Sequence, residues 1–172
     1  MWQKLSKSYP LQFELIALSL LLLTFYLTAS SYSSLPDRIP THFNLQGVPD
    51  NWGNKKEIFV FPILSACLYV LFTVINILLA LAKDPRKFIN LPQKRKAALS
   101  NTQVERLRIF LNRSLFALKL LIQGLLAYSV YITVEVALNR AGSLGMPWFF
   151  FMAAILALAG YMVWESIRIT YS

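Results

Sequence analysis

Ile16-Ala17-Leu18-Ser19-Leu20-Leu21-Leu22-Leu23 decides the fold class. It lies inside a run from about Leu11 to Ser30 whose one charged residue is Glu14. The hydrocarbon core of a bilayer takes about 20 residues of helix to cross, and helix satisfies every backbone polar group within its own segment. Three more runs meet that length: about Ile58 to Ala82, Phe110 to Val134, and Pro147 to Ile167, the last opening Trp148-Phe149-Phe150-Phe151. The sequence therefore predicts an all-α integral membrane protein. It has four transmembrane helices at approximately 11–30, 58–82, 102–134 and 147–167, in one domain over residues 1–172.

Composition agrees. Hydrophobic residues are 56% of the chain and charged residues 15%, and the mean hydropathy is +0.51. A soluble domain carries about 25% charged residues. Lipid, rather than a large internal core, must cover most of this apolar surface. Lys4 and Lys7 precede the first run as in a secretory signal, with Thr28-Ala29-Ser30-Ser31 as a loose cleavage site. The run is long for a signal, so we read it as an uncleaved anchor.

The formal charge is +9, from 17 Lys and Arg against 8 Asp and Glu. Its placement gives the orientation. With the N-terminus inside, the inner segments hold Lys4, Lys7, Lys83, Arg86, Lys87, Lys94, Arg95, Lys96, Arg106, Arg108 and Arg168, and the outer segments hold only Arg38, Lys55, Lys56 and Arg140. Cytoplasmic loops carry such a basic excess, so both termini are expected in the cytoplasm, with residues 31–57 outside and 83–101 inside. Trp2, Trp52, Trp148 and Trp164 fall near span ends, as interfacial anchors do. The basic residues flank apolar spans, which points to anionic lipid rather than nucleic acid. Lys94-Arg95-Lys96 is read the same way.

In the inner loop, Asp84-Pro85 and Leu91-Pro92 break helix. Thr102-Gln103-Val104-Glu105 has capping-box spacing and predicts that the third helix starts near Thr102, before it enters the bilayer. Asn112-Arg113-Ser114 matches a glycosylation pattern but lies on the inner face, and is set aside. Cys67 stands alone in an apolar run and is expected to be a small buried hydrophobe.

The outer loop is the expected functional surface. Pro36, Pro40 and Pro49 fix φ, Gly47 and Gly53 free it, and Gln46-Gly47 and Pro49-Asp50 are turn signals. Between them Ile39, Thr41, Phe43 and Leu45 alternate with Pro40, His42, Asn44 and Gln46, which predicts an extended piece with one face on the helix ends. The other face carries His42 and Asn44 outward or toward Asp50. Histidine is the side chain suited to titrate near neutrality. With Asp50 and Lys55 near it, His42 suits a general base, a ligand to a metal, or a clamp on an anionic head group. The structural alternative is that these groups bond the loop's own backbone and hold its turns. One His and one Cys are few for zinc, even with Asp37 and Asp50 added, so neither metal nor cofactor is expected.

Leu35-Pro36-Asp37-Arg38-Ile39-Pro40-Thr41-His42-Phe43-Asn44, followed by Gly47, Pro49-Asp50, Trp52-Gly53 and Lys55, resembles the bacterial domain of unknown function 1648. That domain forms the N-terminal part of SdpI-like immunity proteins. Pro62 in the following span, Asn90-Leu91-Pro92 and Leu118-Lys119 extend the resemblance, which covers roughly residues 30 to 135. It implies a multi-pass protein of a bacterial cytoplasmic-type membrane. In SdpI-like members the function is protection against a secreted peptide toxin, with a part in signalling. The further membrane half of the longer members is not found in this sequence. The resemblance also marks Pro40, His42, Asn44, Gly47, Asp50, Trp52 and Lys55 as the outer site.

Within the spans, Asn112, Phe116, Lys119 and Gln123 follow i, i+4, i+7, i+11 and share one helix face. Lys119 lies nine residues beyond Phe110, about 14 Å into the core. A lysine there costs about 2.5–3.5 kcal/mol on insertion scales, so it must face other helices or water. Asn76 is the expected partner, with Glu14 as a poorer one. The group serves either as a polar pin between helices or as a proton or ligand path. Ala153, Ala157 and Gly160 form a small-residue stripe, expected to pack within the bundle.

These readings predict a non-enzymatic membrane protein whose outer loop recognises a protein or peptide, as an immunity-like protein or an accessory subunit of a larger membrane complex. The alternative is a membrane enzyme or transporter acting on a lipid-like substrate, with His42, Asp50, Lys55 and Lys119 as candidates. The expected partners are the lipid bilayer and a membrane protein or peptide, and not nucleic acid.

Overall fold

The computed structural model describes residues 9, 11–88 and 93–171. Trp2, Lys4, Lys7 and Asn90-Leu91-Pro92 lie outside the described residues. Four helices are long and apolar enough to cross a membrane. The elements in chain order are α1 (Glu14–Ser31), β1 (Arg38–Phe43), β2 (Pro49–Asn54), α2 (Val60–Leu81), the short α3 (Gln93–Ala98), α4 (Asn101–Ala137) and α5 (Gly145–Tyr171). Single 3-10 turns lead into α1 at Leu11–Phe13 and into α2 at Lys55–Phe59.

The long helix α4 is the hub, packing against α1, α2, α5 and β1. Its burial follows from its sequence. The polar residues Asn112, Lys119 and Gln123 are fully buried, and Val130, Val134 and Ala137 bury with Leu35, Ile39 and Ile58 under the hairpin. The outward faces of α1, α2 and α5 remain apolar and exposed, as lipid-facing surfaces are: Leu15, Val70 and Phe150 are examples. Pro62 and Pro147 stand in the first turns of α2 and α5, where a missing N–H costs no helical bond.

The hairpin joins the far end of the bundle. The Leu144 amide donates to the Gly47 carbonyl at 2.8 Å, tying the hairpin tip to the connection between α4 and α5. At the other end Gln103 Nε2 donates to the Ile169 carbonyl and Arg108 Nη2 to the Ala82 carbonyl, so the ends of α2 and α5 meet the start of α4.

Four expectations are corrected here. The third long helix is capped two residues earlier than its sequence suggested: Ser100 accepts from the Gln103 amide, and the Gln103 side chain reaches back to the Ser100 amide. Ser100 is extended at ψ 156°, as a cap must be, whereas Thr102 is already helical, and Glu105 instead pairs with Arg108. Cys67 is exposed rather than buried, since it points away from α4. The Ala153, Ala157 and Gly160 stripe faces outward, with nothing within 4 Å of a Cβ built on Gly160. The helix α5 meets α4 through other side chains, including Phe151 against Gly124 and Tyr161 against Phe110. Lastly, Pro49-Asp50 is not a turn but the start of β2, and the turn lies at Asn44–Val48.

Candidate functional site

Two sets of residues concentrate the polar chemistry. The first is the cap. The strands β1 and β2 pair antiparallel, Arg38 with Asn54 through Phe43 with Pro49, with irregular register around Thr41. That bulge breaks the expected alternation: Ile39 and Pro40 are both buried, and Leu45 is 92% exposed. Gly47, at φ +75°, closes the turn in a region where side chains are strained, and a Cβ on it would crowd Leu144 and Phe149.

The cap's polar side chains divide into separate jobs. His42 Nδ1 lies 2.5 Å from Asp50 Oδ1, across the two strands. Asn44 is a turn former: its Oδ1 accepts from the Gln46 and Val48 amides, each at 3.0 Å. Arg38 Nη2 donates to the Trp52 carbonyl. Lys55 does not join His42 and Asp50. It pairs with Asp37 at 3.3 Å and lies over the Tyr32 ring, at the base of the hairpin. The expected His–Asp–Lys grouping is thus only a His–Asp pair. Glu57, which the sequence reading passed over, completes a capping box with Asn54 and would collide with a Cβ on Gly53. Asn54 three residues before Glu57 was the available signal.

Beneath β1 lies a cavity of about 570 Å³. Its roof is β1 with His42 and Asn44. Its walls are Phe61 of α2, Leu126 and Ser129 of α4, and Trp148 and Phe149 of α5, with Glu57 at the rim. The α4 residues on it run from Leu125 to Thr133, so it reaches about 12 Å down that helix. The lining is mostly apolar, with a few polar groups near the roof, which is how ligand cavities are commonly built.

The second set lies inside the bundle and corrects the expected pairing of Lys119 with Asn76. Lys119 Nζ reaches Glu14 at 2.6 and 2.8 Å, and Tyr9 Oη and Thr73 Oγ1 at 3.2 Å each. The rings of Tyr69 and Phe116 flank it at 4.9 Å. Tyr9 Oη donates to the same carboxylate at 2.5 Å. Asn76 instead bonds Asn112, through side chains and through each other's carbonyls, and Ser65 bonds Gln123. These are rungs of one ladder. Ser65, Tyr69, Thr73 and Asn76 on α2 share a stripe at helical spacing, and its antiparallel mate is Gln123, Lys119 and Asn112 on α4. That spacing was visible in the sequence and identifies Tyr69 and Thr73. Every proton of Lys119 has an acceptor, and its contacts tie α4 to Glu14 of α1 and Thr73 of α2.

Residues 19–66, covering most of α1, the hairpin and the start of α2, match the family described as Domain of unknown function (DUF1648). A stretch of 151 residues is 29% identical to an uncharacterized protein of Archaeoglobus fulgidus, covering 87% of this chain and 79% of that protein. No solved structure matches significantly.

Proposed function

We propose that this is a non-enzymatic membrane protein whose extracytoplasmic cap recognises an apolar segment of a protein or peptide, received in the cavity under β1. The carrying observation is that cavity of about 570 Å³, roofed by β1 and walled by α2, α4 and α5. Leu45 at 92% exposure and Val48 at the hairpin tip, with Trp52 on β2, add apolar surface outside the lipid-facing helices. Apolar residues displayed on a polar, rigidly docked cap suit contact with a partner. Gly47, Asn44, Arg38 and the Asn54–Glu57 box hold that cap in place, and holding it lowers the ordering cost of binding. The basic excess beside the termini supports an orientation with the cap outside.

A second reading has one observation in its favour. Asp50 engages Nδ1 of His42, a residue that lines the cavity, and a carboxylate on one ring nitrogen is how a general-base histidine is held. Both side chains are well exposed, so water competes for that role. Native mass spectrometry of gently extracted protein separates the two. Leu126→Trp, which fills the cavity, is expected to release a bound peptide or protein that wild type and His42→Gln retain. Retention by Leu126→Trp would overturn the recognition reading. A companion whose mass differs between wild type and His42→Gln would favour the enzyme.

A further inference from the structure

We infer that the end of the bundle opposite the cap holds an anionic phospholipid, seated between α4 and α5. The described arginines are eight, and six of them have partners. Arg38 bonds the Trp52 carbonyl, Arg86 Asp84 and the Leu99 carbonyl, Arg108 the Ala82 carbonyl and Glu105, Arg140 Glu135, and Arg168 Glu165, while Arg95 lies on the Tyr171 ring. Arg106 and Arg113 are exposed, have no partner among the described residues, and line the same shallow groove of about 430 Å³.

Position gives that pair its meaning. They are seven residues apart, two turns and about 10.5 Å along one face of α4. Arg113 lies three residues past Phe110, where the apolar run begins, so its charge sits at the edge of the hydrocarbon. A guanidinium there is costly unless paired. Both side chains lean toward the start of α4, at the level of lipid head groups. Between and below them the groove is apolar, lined by Phe110, Ala117 and Leu158, with the Ser114 side chain on its wall. Two guanidinium forks over an apolar channel match a phosphodiester with an acyl chain beneath it. A soluble anion would use the arginines and leave the channel empty, and an acidic protein would have no use for a channel on the lipid side of the helices. Basic pockets between helices on the cytoplasmic side bind anionic head groups by this chemistry.

The test is native mass spectrometry of the full chain in detergent, with phosphatidylglycerol or phosphatidylcholine of the same acyl chains. Wild type is expected to retain phosphatidylglycerol about tenfold more than phosphatidylcholine, a difference of about 1.4 kcal/mol. Arg106→Gln/Arg113→Gln should abolish the preference, and Lys94→Gln/Arg95→Gln/Lys96→Gln should keep it. Leu158→Trp, with both charges present, should lower retention by blocking the chain. Undiminished preference in the double arginine variant would overturn the proposal, as would equal loss in the Lys94/Arg95/Lys96 variant. So would unchanged retention in Leu158→Trp, or displacement of the lipid by excess inorganic phosphate.

Discussion

At the scale of single residues, Lys119 shows how far a cost argument reaches. A lysine nine residues into an apolar span must be paired, and that much is legible in sequence. The identity of the partner is not. Glu14 is 105 positions away, and only the packing of α1 beside α4 brings its carboxylate within 2.6 Å. Because Lys119 is fully buried and the Glu14 side chain is only 20% exposed, removing one partner strands the other charge. Lys119→Met should therefore cost about 3 kcal/mol of stability in detergent. Glu14→Gln/Lys119→Met should cost clearly less than the sum of the two single changes. The cycle of Lys119→Met with Asn76→Leu should instead be additive to within about 0.5 kcal/mol. Thermal or denaturant unfolding of the three single and two double variants checks this, and strong coupling of Lys119 to Asn76 would contradict the pairing with Glu14. The cap residues follow the same pattern. His42, Asn44, Gly47 and Asp50 were recognisable as a group, but Asn44 folds onto its own turn, and Lys55 pairs with Asp37 across the hairpin base, next to the Arg38–Asn54 pair.

At the scale of elements, hydropathy located all four spans because a bilayer imposes one length and one composition. Ends were less legible. Two overlapping capping patterns, Ser100 with Gln103 and Thr102 with Glu105, sit two residues apart, and backbone geometry chooses between them. Ser100→Ala should cost about 1 kcal/mol, while Thr102→Ala at an exposed position already inside the helix should cost little. Amide exchange at the start of α4 reads the difference, and equal effects would contradict the cap assignment. The antiparallel stripes on α2 and α4 are the more general lesson. Polar residues at helical spacing on one span call for a matching stripe on a neighbour, so the ladder was available from sequence once both spans were compared.

At the scale of the whole molecule, orientation and the cavity behave differently. Orientation is a property of charge placement, and eleven inner against four outer basic residues predict it directly. In a Cys67→Ala background, a cysteine at Asn51 should react with an impermeant thiol reagent in intact cells, and one at Lys94 only after permeabilisation. The reverse pattern would invert the topology. The cavity was not legible, because it belongs to no single segment. It exists because the hairpin spans the space between α2 and α5 while α5 packs chiefly on α4. Its use is the central claim, and photo-crosslinking in native membranes tests it most directly. A photoreactive residue replaces Phe61 on the cavity wall or Ile77 on the exposed face of the same helix. A discrete peptide or protein adduct is predicted at position 61, with only heterogeneous lipid at position 77. The same lipid adducts at both positions would contradict it.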